Sequence, residues 1–325
     1  MDEQIFQPRT DLSALNNAVL SIRNEIKKII VGQDEMVKLI IAALLADGHV
    51  LIEGVPGVAK TLTAKLVAKS VQAGFSRIQF TPDLMPSDVL GTPVFNPREA
   101  SFEFKKGPIF SNIVLVDEIN RAPAKTQSAL LEIMEERQAT VDGKTYPMAQ
   151  PFMVLATQNP VEQEGTYRLP EAQLDRFMFK ILVPYPTEQE ELAILTQFNQ
   201  MGNTRALDLI TPALDAQQIT TLKQQIKTQV IEEKLLQFIA KLIQHTRNHK
   251  SIYLGASPRA SLAIMNASKA IAAMQGRDFV TPEDILTIVP PVLRHRIILS
   301  PDKEMEGITE DEVIRQIIQG MDVPR

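Results

Sequence analysis

Ile113-Val-Leu-Val-Asp-Glu-Ile-Asn-Arg121 sets four consecutive apolar residues, most of them β-branched, ahead of two adjacent carboxylates. A short unbroken apolar run is the pattern of a strand buried on both faces, as in a parallel sheet. Ligands of an open α/β sheet bind at the carboxyl ends of its strands. Asp117 and Glu118 therefore stand where chemistry is done. Acidic residues also occur at ordinary strand-to-loop junctions, so the meaning of the run depends on what precedes it.

What precedes it is a second strand, His49-Val-Leu-Ile-Glu53, then Gly54-Val-Pro-Gly-Val-Ala-Lys-Thr61 and a helix expected from Leu62 to Ala73. Strand, Gly-rich turn, Lys-Thr and helix is the context of a phosphate-binding loop. The usual pattern has Gly before the Lys; here Ala59 stands there, compatible with a first helical turn and less so with a left-handed backbone. The candidate nucleotide-binding residues are Gly54, Val55, Pro56, Gly57, Val58, Ala59, Lys60, Thr61 and Leu62. Backbone N–H groups from Gly57 to Thr61 and the helix dipole can surround a β-phosphate. Lys60 can reach the β- and γ-phosphates, and the Thr61 hydroxyl can ligate Mg²⁺. That metal needs a second ligand from another strand end, which Asp117 supplies, with Glu118 beside it as the candidate base on the attacking water.

A third apolar strand, Pro151-Phe-Met-Val-Leu-Ala-Thr157, ends in Gln158-Asn159. Asn159 is either a group that orients water or contacts the γ-phosphate, or an Asn-Pro turn starter. In chain order the acidic strand lies between Lys60 and Asn159. Leu169-Pro-Glu-Ala-Gln-Leu-Asp-Arg-Phe-Met178 reads as a short helix feeding a strand over 179–183. Its Arg176 has no partner in its own nucleotide site, which fits either an arginine finger acting in trans or a salt bridge to Asp175.

The remaining composition bounds the function. The chain has 325 residues, 44% hydrophobic and 22% charged, enough for about two domains. The absence of Cys rules out disulfides, thiolate metal sites and cysteine nucleophiles. A net charge of −5, no Trp and 5% aromatic residues argue against a nucleic-acid track. The acidic start, Met1 to Pro8, lacks a signal-peptide pattern, and no run reaches the roughly 18 apolar residues of a membrane helix. The expectation is a soluble, cytoplasmic protein.

Apolar spacing predicts helices over 11–30 and from Asp34, as N-cap, to Ala46, with Asp47-Gly48 ending the second. Ile78 to Thr81 reads as a strand. Residues 94–95 and 102–104 pair as a hairpin, either a plain surface hairpin or a projecting loop with Phe102, Phe104, Lys105 and Lys106 as contacts. A helix over 125–137 follows, then a hairpin over 140–146 with Asp142-Gly143 at its tip. Pro184-Tyr-Pro-Thr187 marks a boundary. Beyond it, helices are expected over 188–200, 216–228, 231–249, 258–275, 281–289 and 309–320, giving domains 1–187 and 188–325. Arg259, in a first helical turn, opposes the dipole and implies a nearby anion unless it is simply solvated. His245 and His249 have i, i+4 spacing but no third ligand, so no metal site is assigned to them.

This order of motifs resembles the AAA+ ATPases, and within them the MoxR family. The matching stretches are Val31-Gly-Gln33, Gly54–Thr61, Asp117-Glu-Ile-Asn-Arg-Ala-Pro123, Ala156-Thr-Gln-Asn-Pro160, 169–177, Gly255-Ala-Ser-Pro-Arg259, Val280-Thr-Pro-Glu-Asp284 and Val292-Leu-Arg-His-Arg296. Ala59 is usual in that family. The resemblance implies an α/β fold, a three-layer αβα P-loop NTPase sandwich with a parallel sheet, followed by a smaller all-α lid that closes over nucleotide. It implies Asn159 as sensor 1, Arg176 as arginine finger, Arg259 as sensor 2, and Gly32 and Gln33 near the adenine. Residues 90–106 resemble the helix-2 insert of this clade, and 140–147 the insert preceding sensor 1. The implied activity is Mg²⁺-dependent ATP hydrolysis by a homo-oligomer, typically a hexamer, that remodels or activates a protein client, often a von Willebrand factor A (VWA) domain protein or a metalloenzyme. The alternatives are a magnesium-chelatase-like subunit or nucleic-acid-dependent motor of the same clade, and a nucleotide-gated binding module with negligible turnover. No role is assigned to Asn120 and Arg121.

Overall fold

The computed structural model describes residues 12–160, 167, 169–201 and 205–324. Residues 1–11, which hold the acidic start and the first residue of the expected opening helix, lie outside them, as does the final residue. Helix α1 (Ser13–Lys27) buries Leu15, Val19, Ile22 and Ile26, the stripe that the spacing predicts. In α2 (Asp34–Leu45) the cap is Gln33, and Asp34 is the first helical residue; its charge still faces the positive end of the dipole. Asp47, with φ of 62°, turns the chain out of this helix.

The α/β part continues through β1 (Val50–Gly54), α3 (Lys60–Ser70), β2 (Phe75–Gln79), α4 (Pro86–Leu90), β3 (Gly91–Asn96), β4 (Ser101–Lys106) and β5 (Ile113–Asp117). It closes with α5 (Ala124–Glu136), β6 (Gln138–Val141), β7 (Lys144–Pro147), β8 (Met153–Gln158), α6 (Glu171–Leu174) and β9 (Phe179–Val183). Five of these strands form one parallel sheet in the order β2-β5-β8-β1-β9. In space, β8 separates the loop strand from the acidic strand, the reverse of their chain order. All five carboxyl ends share one edge, and a right-handed crossover follows each strand in such sheets. Val50 and Ile52 point to the layer of α1, α2 and α3, while Leu51, Val114 and Val116 point to that of α5, so the sheet is the middle of three layers.

Two hairpins leave this sandwich. β3–β4 and β6–β7 are separate two-stranded sheets, at the two segments where the sequence predicts them. They meet through aromatic rings: Phe104 stacks on Tyr146 with centroids 4.4 Å apart, and Phe110 packs edge-on to both. Phe104 is thus a brace between the hairpins, whereas Phe102 is 71% exposed at the tip beside Phe95.

The helical part comprises α7 (Glu188–Met201), α8 (Ala216–Lys227), α9 (Glu233–Asn248), β10 (Ile252–Leu254), α10 (Pro258–Met274), α11 (Pro282–Leu293), β11 (Ile298–Leu299), α12 (Pro301–Met305) and α13 (Glu310–Gln319). Pro290 and Pro291 suggest a stop at 289, yet α11 runs on to Leu293. A proline removes only its own N–H, and the N–H of Arg294 still closes the turn on Pro290 O at 3.0 Å. One buried cluster runs from Leu15 and Ile40 through Ile264 and Ile285 to Val313, so the helices pack directly on α1 and α2. No described helix is long and apolar enough to cross a membrane.

Two histidines sit inside this packing. His49 Nε2 donates to Met134 O (3.0 Å) and its Nδ1 accepts from Val154 N (2.9 Å), so the neutral ring is satisfied on both sides. His295 donates through Nε2 to Phe177 O at 2.9 Å. Burial, first, and neighbouring cations hold both rings well below the ordinary histidine range. In the unfolded chain each ring takes a proton below about pH 6.5 that the folded chain refuses. Stability should fall with pH from there by up to about 1.4 kcal/mol per unit for each ring. Urea melts between about pH 7.5 and 5.5 measure this; His49→Gln and His295→Gln should each flatten the slope.

Candidate active site

The phosphate-binding loop is anchored at both ends and open in the middle. Gly54 ends β1 where a Cβ would stand 2.7 Å from Val183 O of β9, so only glycine lets the two backbones lie this close. Val58 is buried as the loop's anchor, while Pro56 and Gly57 are exposed. Gly57 has φ of 89°, and a Cβ there would meet open space. Ala59 has φ of 58°, the left-handed conformation that glycine usually supplies here. For an L-residue this costs about 1–2 kcal/mol, a local strain of the kind kept at functional turns. Lys60 opens α3, and its Nζ donates to Gly54 O at 2.5 Å, folding the side chain over the loop.

The same edge carries the acidic pair. Asp117 is 7% exposed; its Oδ2 accepts from Arg77 Nε at 2.6 Å and its Oδ1 from Thr157 Oγ1 at 3.2 Å. Thr157 also accepts from Glu118 N at 3.0 Å, tying the end of β8 to the end of β5. Glu118 adopts φ of 57° and ψ of 53°, a left-handed conformation uncommon for a residue with a side chain. Its Oε2 accepts from Gln79 Nε2 (2.8 Å) and pairs with Arg121 Nε (3.1 Å). Asn159 follows β8 directly and is buried, with polar partners. Asn120 is buried and accepts Tyr167 N on its backbone oxygen at 2.6 Å.

Arg77, Gln79, Thr157 and Arg121 are the polar residues that sequence reading left without a role. Arg77 and Gln79 lie two apart on β2, with Gln79 directly opposite Asp117. Starting the strand at Ile78 rather than Phe75 hid this pairing, since the alternation that sends both side chains to one face was cut short.

The donor set suits a hard divalent cation. The Asp117 carboxylate and the Thr61 hydroxyl would offer it oxygen donors, and among the described residues no group of three or more His, Cys, Asp or Glu side chains is placed to hold a metal ion. Gly32, with φ of 75°, lies against the Glu190 side chain so closely that a Cβ would overlap it. The segment after β9 thus touches both turns, Val183 O lying against Gly54 and the Glu190 side chain against Gly32.

Arg176 and Arg259 lie away from the loop. Met178 N bonds to His49 O, and Phe179 pairs with Val50, so Arg176 stands near the amino end of β1. The five residues of β1 put roughly 16 Å between that end and the loop. Among the described residues the Arg176 guanidinium has no hydrogen bond or ion pair, and the carboxylate of Asp175, its neighbour in the chain, is taken by Arg296 and Ser257. Arg259 pairs with Glu135 at 2.6 Å, so the anion that its position implies is a protein carboxylate. Glu135 lies in the last turn of α5, which meets the sheet through Met134 O and His49, again at the amino edge. The start of α10 thus lies beside the amino edge of the sheet, with Ser257 on Asp175 and Arg259 on Glu135.

The parallel sheet in this strand order, the loop at the end of its fourth strand and the acidic pair two strands away define an AAA+ ATPase. The model of the ATPase family associated with various cellular activities matches residues 49–179, and that of the AAA lid domain residues 244–317. The chain belongs to the MoxR family: it is 44% identical to the chaperone MoxR1 of Mycobacterium tuberculosis, over 93% of this chain and 81% of that one. It is also 46% identical to the uncharacterized Bacillus subtilis protein YeaC over 92% of each. The solved structure of a candidate ATPase from Cytophaga hutchinsonii matches with a TM-score of 0.86 and 42% identity, over 97% of this chain and 99% of that one.

Proposed function

We propose that the chain hydrolyses ATP at a site completed by a second copy of itself and uses the cycle to remodel or activate a protein client. The observation that carries this reading is the separation of charges: Lys60, Asp117 and Glu118 on one edge of the sheet, Arg176 unpaired near the other. An arginine so placed suits the γ-phosphate of a neighbour. Lys60 and the N–H groups of the loop hold the β- and γ-phosphates, while Gly32 and Gln33 lie beside the base. Thr61 and Asp117 would hold Mg²⁺, which neutralises phosphate charge when bound. Glu118 takes the proton of the attacking water and Asn159 orients that water. Gln79 and Arg121 hold the Glu118 carboxylate until the water arrives. Arg259, beside Arg176, is assigned to the neighbour's nucleotide as well. Residues 1–187 are assigned as the core and 188–325 as the lid; the lid-domain model matches 244–317, within the second.

The chaperone name of the M. tuberculosis relative supports a protein client, and a VWA-domain partner and a hexameric ring remain the readings given by the family resemblance. The exposed tip formed by Val94, Phe95 and Phe102 is the surface assigned to the client. A shared site makes turnover depend on assembly. Specific ATPase activity should rise with protein concentration until it reaches a plateau; activity per chain that stays constant down to concentrations at which light scattering shows only monomers would exclude this reading.

A further inference from the structure

The motif Val292-Leu-Arg-His-Arg296 has no part in the steps above, yet its last three residues grip the segment around Arg176. Arg296 is buried and makes five hydrogen bonds. Its Nε donates to Asp175 Oδ1 (2.7 Å), Nη2 to Asp175 O (2.9 Å) and Phe177 O (2.6 Å), and Nη1 to Met178 O (3.0 Å) and Val292 O (2.6 Å). His295 donates to Phe177 O, and Arg294 to Lys180 O at 3.2 Å. The second oxygen of Asp175 accepts Ser257 Oγ at 2.8 Å, and the same Oγ accepts from Arg259 N. Carbonyls on both sides of Arg176 are thus held by residues at the end of α11, and its one adjacent carboxylate is occupied.

We propose that Arg296 is a positioning residue for Arg176, holding the 175–178 turn in place and keeping Asp175 from capturing the Arg176 guanidinium. A buried fork of donors does both at once, because guanidinium geometry satisfies four carbonyls, three of them in the 175–178 turn, and a carboxylate from fixed directions. Without it, the Asp175 carboxylate next to Arg176 in the chain loses its ion-pair partner, and a pair between Asp175 and Arg176 removes the finger from its target. The inference rests on the reading that Arg176 completes an ATP site.

The test is a double-mutant cycle on ATP turnover with Arg296→Lys and Arg176→Ala. Arg296→Lys keeps the charge and loses the fork. It should lower kcat roughly 10- to 100-fold while the affinity for a fluorescent ATP analogue stays at the wild-type value. In the Arg176→Ala background the same change should cost nothing further, since the group it positions is gone. Multiplicative losses, or a folded Arg296→Lys with wild-type kcat, would overturn the inference. Should Arg296→Lys lack a cooperative melt, Asp175→Asn takes its place and tests the hold on the turn alone, since it breaks the ion pair with Arg296 and leaves no carboxylate to capture Arg176: kcat should still fall, with no further loss in the Arg176→Ala background, and a wild-type kcat or multiplicative losses would overturn the inference. Arg176→Ala with undiminished kcat would instead refute the reading of Arg176 itself, and the inference with it.

Discussion

Glu118→Gln should leave ATP binding intact and lower turnover by roughly 10²–10⁴-fold, the range for loss of a general base. The amide is nearly the same size as the carboxylate and cannot take a proton. Three features of the site make Glu118 the residue to change. It follows the last residue of the acidic strand; its backbone is held in a left-handed conformation by Thr157 and the turn 119–121; and its carboxylate is restrained by Gln79 and Arg121. Strain at one residue on the catalytic edge, with its side chain held by two partners, is a device for aiming a group. Gel filtration or fluorescence with an ATP analogue checks binding, and phosphate release checks turnover. A Gln variant that turns over at the wild-type rate would remove Glu118 from the mechanism.

Arg176→Ala should be at least as severe in kcat, about 10³–10⁵-fold, the contribution of an arginine finger to phosphoryl transfer. The folded chain should tolerate the change, because the guanidinium makes no ion pair or hydrogen bond among the described residues and its carbonyl neighbours are held by Arg296. Thermal melts should therefore coincide with wild type while phosphate release collapses. A fall in melting temperature matching the loss of activity would point to a structural role.

Much of this site is legible in the sequence because its parts are local. A phosphate-binding loop is one strand, one turn and one helix, and the pattern Gly54 to Thr61 contains all three. The acidic strand declares itself by four apolar residues and a carboxylate pair, and the β3–β4 and β6–β7 hairpins by Pro, Asn and Asp-Gly turns. What sequence reading misses is set by distant neighbours. Arg77 and Gln79 gain roles only from the register of β2 against β5, which no spacing within β2 contains. The spatial interposition of β8 between β1 and β5 is a property of crossovers. Arg259 shows the same limit: its place in a first helical turn implies an anion, but Glu135, 124 residues away in sequence, is found only by folding. Continuation of α11 through Pro290 and Pro291 depends on packing along Ile288, Val289 and Val292, which outweighs two missing donors.

The central claim is that one ATP site needs two copies of the chain, and subunit mixing measures it directly. Lys60→Ala removes the phosphate ligand of a site but leaves Arg176 to offer a neighbour; Arg176→Ala does the opposite. Neither variant alone should hydrolyse ATP. Mixed at varied ratios, they should form interfaces with an intact loop on one side and an intact arginine on the other, and phosphate release should pass through a maximum near equal proportions. Mixtures that stay inactive at every ratio, while co-assembling, would contradict a shared site.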